Sequence, residues 1–308
     1  MTNNLPKLVV VLGPTASGKT DLGIWLAKKF DGEIVSADSR LVYKEMNIGT
    51  AKPINENGAI YISQGIVHHM IDITTLKKDY NAAVYKKEAI KRIKSIQKKG
   101  KIPLLVGGTG LYIDAVVKNI DFPGITQDKK VRQELEEKSL EELFSEYEQL
   151  DPLGAEKIDK KNKRRLIRAI EVCKATGNSF WENRRLKRPI FDCLELGIAI
   201  EKDILFSRIK KRVDKMIKMG LENEAGKLIK KYGSIPALET IGYQEWKEYV
   251  GKDIKKIDLE KIKERIIINT NKFSKRQMTW FKRDENINWI ANKKEAQKLV
   301  KEFLKRAD

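Results

Sequence analysis

One stretch, Gly13-Pro14-Thr15-Ala16-Ser17-Gly18-Lys19-Thr20, constrains this chain more than any other. An apolar run at 8–12 precedes it and reads as a buried strand; 21–30 follows and reads as a helix. The spacing G-x-x-x-x-G-K-T between strand and helix is that of a phosphate-binding loop. Gly13 and Gly18 let the backbone turn tightly and bring amide groups, across Thr15, Ala16 and Ser17, against anionic oxygens. The helix N-terminus adds the positive end of its dipole. Lys19 supplies a point charge, and Thr20 a hydroxyl suited to Mg2+. The loop implies a diphosphate or polyphosphate ligand without saying which.

The alternation continues. A short strand is expected at 33–36, with Asp38, Ser39 and Arg40 at its carboxyl end. In open parallel sheets the ligand crevice lies outside the carboxyl ends of the strands, so Asp38 is placed to face the phosphate loop. A carboxylate there serves as general base, magnesium ligand or simple turn former. Another strand at 102–106 runs into Gly107-Gly108-Thr109-Gly110 and a helix at 111–117, a second turn expected to aim amides and the Thr109 hydroxyl at the crevice. Between them, 48–53 has turn chemistry, 81–99 reads as an amphipathic helix, and His68 with His69 is expected to pack or bond a loop. The fold class is therefore α/β, a parallel sheet flanked by helices.

From about 125 to 188 the strand pattern stops and helical patterns take over. Residues 131–150 are acidic and amphipathic. The charge then inverts: 157–188 hold twelve Lys or Arg, including Arg184 and Arg185, against three acids. On a helix over 162–175, Leu166, Ile170 and Cys173 mark a buried stripe, and Arg164, Arg165 and Arg168 share the exposed face. Arginine is scarce elsewhere in this lysine-rich chain, so the patch points to a phosphate backbone. Phe180 and Trp181 beside it suit either base stacking or core packing. A strand resumes at 194–200. Arg208 and Arg212 follow, four apart on one helix face over 202–219, a geometry that suits gripping a diphosphate. A long helix over 259–282 carries Lys272, Lys275, Arg276 and Arg283 as a second basic stripe, near Trp280. The core is thus expected at 1–122 and 190–308, with an all-helical insertion at 123–189.

The net charge of +19 agrees with a nucleic-acid partner, although a lysine-rich composition accounts for part of it. No run approaches the length of a membrane span, and the N-terminus lacks a signal-peptide pattern, so a cytoplasmic protein is expected. Cys173 and Cys193, the only cysteines, have no spacing for zinc or redox work.

Taken together, the motifs resemble the bacterial tRNA dimethylallyltransferase (tRNA isopentenyltransferase) family. The likeness rests on GPTASGKT at 13–20, S-x-D-S at 36–39, Y-K-x-M-x-I-G-T-A-K-P at 43–53, H-H-x-I-D at 68–72, L-V-G-G-T-x-L-Y at 105–112, R-x-x-R-A-x-E-V at 165–172, I-G-Y at 241–243 and K-R-Q-x-T-W at 275–280. The resemblance implies a nucleotide-kinase-like core with a tRNA-binding insertion. It implies transfer of a dimethylallyl group from dimethylallyl diphosphate to the exocyclic amine (N6) of the adenosine 3′ to the anticodon. Asp38 would be the base and Thr109 the group bonding the amine. Lys19, the loop amides of 15–20, Arg208 or Arg212, and magnesium at Thr20 would hold the diphosphate. Contacts to the tRNA anticodon stem-loop would come from Asp38, Ser39, Arg40, Leu41, Thr109, Arg132, Arg164, Arg165, Leu166, Ile167, Arg168, Gly242, Tyr243, Lys275, Arg276, Gln277, Trp280 and Lys282. No membrane partner is expected, and the protein is expected to act as a monomer.

Three other readings share parts of this pattern. A P-loop kinase of a small acceptor would use the same loop and Asp38 but needs no basic insertion. An adenylate isopentenyltransferase would share the chemistry on free nucleotides. A non-catalytic RNA-binding protein would have no use for intact Lys19, Thr20, Asp38 and Thr109.

Overall fold

The sequence Lys-Leu-Val-Val-Val-Leu offers apolar side chains to both faces of a strand, so both faces must be covered. In the computed structural model, which describes residues 5–122, 128–181, 186–249 and 258–306, this segment is β1 (Lys7–Leu12) and lies between two other strands. The strands are β2 (Gly32–Ala37), β3 (Ile62–Ser63), β4 (Ile66–His69), β5 (Ile102–Gly107), β6 (Asp192–Ile198) and β7 (Asn288–Ile290). Their order in the sheet is β3-β4-β2-β5-β1-β6-β7, parallel except for the β3–β4 pair. The helices are α1 (Lys19–Lys29), α2 (Ala82–Lys98), α3 (Gly110–Val117), α4 (Lys129–Glu137), α5 (Leu140–Leu150), α6 (Pro152–Ala155), α7 (Lys163–Thr176), α8 (Lys202–Lys218), α9 (Leu221–Tyr232), α10 (Leu259–Phe281) and α11 (Lys293–Lys305).

The period of two along β1 divides the core. Leu8, Val10 and Leu12 pack with Tyr85, Ile93 and Ile96 of α2 and Ile113 and Val116 of α3. Val9 and Val11 pack with Leu22 and Leu26 of α1 and Val300 and Phe303 of α11. Each such side chain is worth about 1.5–3 kcal/mol when fully buried, which fixes the register of the sheet. A further cluster joins Val42 and Met46, after β2, to α8, α9 and α10.

Register also sets the site. Leu12 and Ala37 both pair with Gly107. Three strands therefore end level, and the segments starting at Gly13, Asp38 and Gly108 emerge side by side.

The chain forms two compact units, 1–117 with 190–308, and 118–189. The second starts at 118 rather than 123 because its entering and leaving segments bond each other. The Asn119 amide donates to Arg188 O at 2.8 Å, and Lys187 pairs with Asp121 at 3.0 Å. Within this unit the acidic stretch at 131–150 is not one helix. Ser139 and Glu142 form a reciprocal cap that ends α4 and starts α5. Leu135, Leu143, Tyr147, Leu166, Ile170 and Cys173 make its core. Pro123, Gly124, Arg184 and Arg185 lie outside the described residues.

Candidate active site

The loop between β1 and α1 takes the shape its glycines permit. Gly18 has φ +93° and Ala16 φ +63°, both left-handed, and a Cβ on Gly13 would come 2.9 Å from Ser17 Oγ. Two arginines one turn apart on α8 reach this loop. Arg208 Nη1 donates to Ser17 O at 3.1 Å, and Arg212 donates to Thr15 Oγ1 at 3.2 Å and to Thr50 O at 3.1 Å. Lys19 Nζ donates to Pro14 O at 3.2 Å. Burial holds the Lys19 ammonium down to about 8, with Asp38 opposing the shift and Arg212 adding to it. Burial also lowers Arg212, again against Asp38. Three cations thus meet at one loop with one carboxylate nearby, an arrangement that favours a multiply charged anion.

Beside the loop, the Asp38 carboxylate accepts the Arg40 amide at 2.8 Å, and Thr109 Oγ1 accepts the Ser39 amide at 3.0 Å. The Thr109 amide does not face the crevice as expected, because it donates to Ala37 O at 3.1 Å. The glycines of this second turn serve close packing. A Cβ on Gly108 would collide with Gln277 Nε2, and one on Gly110 with the indole of Trp280. Gln277 accepts the Thr15 amide at 2.8 Å and donates to Gly108 O at 2.7 Å, tying both glycine turns to α10. The Thr15 amide is therefore committed within the protein, as is the Ser17 amide, which donates to Pro14 O at 3.2 Å, so the expected anion cradle loses both.

A cavity of about 320 Å³ opens on Asp38, Thr109, Thr15, Arg212, Phe273 and Arg276. A smaller one of about 70 Å³ is bordered by Lys19, Thr20, Ser36, His68 and Asp38. Thr15, Asp38, Thr50 and Arg212 border both. The sequence did not single out Thr50 or Phe273 as site residues, and it set His68 down as a packing or loop-bonding residue. Phe273 was signalled by being an aromatic three residues from Arg276 inside a basic stripe; the guanidinium lies 5.7 Å from its ring. His68 is buried, its Nε2 has no partner among the described residues, and burial holds it down to about 4, so the ring is neutral. His69 behaves as expected of a packed histidine, pairing with buried Glu33 at 2.7 Å.

The IPP transferase family model matches residues 41–284. A tRNA dimethylallyltransferase of Pelotomaculum thermopropionicum is 42% identical over 296 residues, 94% of this chain and 91% of that protein. The chain belongs to the tRNA dimethylallyltransferase family. A second member, from Carboxydothermus hydrogenoformans, is 40% identical over 97% of this chain and 96% of its own length. The crystal structure of the full-length tRNA isopentenylpyrophosphate transferase from Bacillus halodurans matches with a TM-score of 0.69 and 34% identity, covering 97% of this chain and 95% of that one. A eukaryotic dimethylallyltransferase acting on tRNA matches with a TM-score of 0.72 and 26% identity, over 89% of this chain and 69% of that one. As a family member the chain is a prenyltransferase, and its sheet is the P-loop core common to these structures.

The residues that the family likeness assigned to RNA fall into two kinds. In the core unit, Lys275, Arg276 and Lys282 are exposed, while Ser39, Arg40 and Leu41 are half-buried at the end of β2. Gly242 borders the large cavity, and exposed Trp280 donates to Asp114 at 3.0 Å. Tyr243 and Gln277 are buried, so the structure corrects both from surface contacts to internal struts. In the helical unit, Arg164 is exposed and Arg165 lies 5.1 Å over the Trp181 ring. Trp181 also donates to Gly154 O at 3.2 Å, and Phe180 packs on the helical core. Arg132 and Arg168 flank buried Glu171 at 3.3 and 3.0 Å. Leu166 and Ile167 are core residues with 0% and 2% exposure, a second correction, since their side chains are inaccessible to RNA. Among the described residues, no helix is long and apolar enough to cross a membrane.

Proposed function

We propose that this chain, working as a cytoplasmic monomer, transfers a dimethylallyl group from dimethylallyl diphosphate to N6 of the adenosine 3′ to the anticodon of tRNA. The observation that carries the reading is the shared border of the two cavities, where Asp38 and Arg212 line both. That shared border supports reading Asp38 as a base beside a diphosphate grip that includes Arg212.

In the reaction the allylic C–O bond of the donor breaks, the N6–C bond forms, and the amine proton passes to the Asp38 carboxylate. Adenine's amine is a weak nucleophile because its lone pair is delocalised, so a positioned base contributes about 10²–10⁴-fold. The Thr109 hydroxyl, already oriented by the Ser39 amide, bonds the amine and holds it toward Asp38. Lys19, Arg208, Arg212 and the loop amides other than those of Thr15 and Ser17 take the charge that grows on the leaving diphosphate. Magnesium keeps several waters and takes one or two protein oxygens. The Thr20 hydroxyl, on the border of the small cavity, fits as one such oxygen. When bound there, the ion supplies positive charge to the diphosphate. The exposed cations of α7 and α10 are assigned to the tRNA backbone.

The test supplies unmodified tRNA with labelled dimethylallyl diphosphate, or with γ-labelled ATP, to wild type and to Asp38→Asn. The expected result is label from the prenyl donor alone. Asp38→Asn is expected to slow transfer by about a hundredfold or more with tRNA affinity retained. Label from ATP, or prenylation of free AMP but not of tRNA, would overturn the reading.

A further inference from the structure

Glu224 lies on α9, outside both cavities, yet its carboxylate organises one wall of the site. It accepts three successive backbone amides, Asn47 at 3.2 Å, Ile48 at 2.9 Å and Gly49 at 3.1 Å. It also accepts the Tyr243 hydroxyl at 2.6 Å. Successive amides of this kind form a concave nest that attracts an anion. Here the anion comes from the protein itself. Tyr243 is fully buried and packs against Gly49 so closely that a Cβ there would come 2.5 Å from its ring.

The 47–52 loop keeps its own shape through Ala51 N to Ile48 O at 2.9 Å, Lys52 N to Asn47 O at 3.0 Å and Thr50 Oγ1 to Met46 O at 2.8 Å. These bonds do not say where the loop sits relative to α8. Glu224 adds polar anchoring to the packing of Met46 and Ile48 on the α8–α10 cluster, and the loop so held presents Thr50 O to Arg212, whose other nitrogen holds Thr15 of the phosphate loop.

We infer that Glu224 is a positioning residue that, through the 47–50 backbone and Thr50 O, sets Arg212 for the leaving diphosphate. The inference rests on the diphosphate-site reading above. Asn47 to Gly49 have no side chain in this relay, so the coupling runs through main chain.

The test titrates inorganic diphosphate, in magnesium buffer, into wild type, Glu224→Gln and Tyr243→Phe by calorimetry, with thermal melts and single-turnover prenyl transfer alongside. Glu224→Gln keeps the volume, removes the charge and turns an NH2 group toward donors. It is expected to lose about tenfold in both diphosphate affinity and transfer rate, as supporting residues behind a site typically do. Tyr243→Phe removes one hydroxyl and is expected to lose about threefold in the same two readouts. In an Arg212→Ala background, Glu224→Gln is expected to change affinity by less than about twofold, because both act through one contact. A lowered melting temperature with unchanged affinity and rate, or a tenfold loss that persists without Arg212, would overturn the inference. If wild type binds diphosphate but does not prenylate tRNA, the reading of the reaction fails while the affinity comparison still decides the role of Glu224. If wild type binds no diphosphate, both fail.

Discussion

Replacing Gln277 by Leu separates a strut from an RNA contact. Gln277 is 7% exposed and makes two backbone hydrogen bonds, accepting Thr15 N at 2.8 Å and donating to Gly108 O at 2.7 Å. Leucine keeps most of the volume and neither bond. A buried backbone group left unpaired costs about 1–3 kcal/mol. Gly108 is buried and bears that cost in full, whereas Thr15 is half-buried beside the cavity and recovers part of it from solvent. The sum is about 2–4 kcal/mol, a large share of the roughly 5–15 kcal/mol that stabilises a typical domain. Denaturant unfolding followed by tryptophan fluorescence reads the loss directly, with exposed Lys275→Ala as a control expected to shift stability by less than about 0.5 kcal/mol. Gln277→Glu sharpens the argument. It keeps the acceptor for Thr15 but sets an oxygen against Gly108 O, so burial and that oxygen raise its pKa above the unfolded value. Its contribution is therefore retained at low pH, where the protonated acid donates to Gly108 O, and lost as pH rises through the raised folded-state pKa. A Gln277→Leu protein with wild-type stability and weakened tRNA binding would refute the strut and restore Gln277 as an RNA contact.

Lys19, held down to about 8 by burial, is expected to make donor affinity fall as pH rises through about 8, because only the protonated form attracts the diphosphate; Lys19→Arg should lose that inflection in a binding titration, separating it from the donor's own ionisation. Gly49→Ala pushes a methyl group against the fully buried Tyr243 ring and is expected to cost about 1–3 kcal/mol in a chemical melt. Arg165→Ala is expected to flatten the dependence of log tRNA affinity on log salt by about one phosphate contact. Arg168→Ala takes away one of the two arginines flanking buried Glu171, so it should also lower stability, by about 1–2 kcal/mol in the same unfolding assay.

Local pattern made much of this molecule legible. The β1 run is apolar at every position because both of its faces are covered, and the glycine spacing after it allowed one reading. Arg208 and Arg212 were paired by helical spacing, and both touch the phosphate loop. β4 was missed because His68 and His69 interrupt its apolar run, although His68 is buried there. In α11 the core residues Ala296, Val300 and Phe303 hold a helical period that the surrounding lysines obscure. Helical period put Leu166 on the buried stripe, as found, but the family likeness assigned the arginine-containing segment to RNA as a block and so misplaced the side chains of Leu166 and Ile167; the same helix buries these two and exposes Arg164. Gln277 stood in the 275–280 motif, but nothing local signalled its role as a strut, and nothing local signalled Glu224 at all. Their partners lie 262 and about 176 residues away, and no periodicity encodes a contact across that separation.

Those two distant residues bear on why the site is ready before any ligand arrives. Arg212 bridges the phosphate loop and the 47–52 loop, Glu224 fixes the second of these, and Gln277 fixes the first to the turn that carries Thr109. Each loop that faces the donor is thus held from behind by a side chain that does not itself face the donor. Dipoles and charges fixed in this way cost no reorganisation as charge develops on the leaving group, which is how electrostatic stabilisation gains most. Lys19 shows one cost of that arrangement: burial, with Arg212 adding to it and Asp38 opposing, holds its ammonium down to about 8. Lys19, Arg208 and Arg212, the cations proposed to hold the diphosphate, are three of the 62 Lys and Arg residues of the chain. Part of the positive excess lies on the exposed cations of α7 and α10, where an extended polyanion, rather than a diphosphate, is the matching charge.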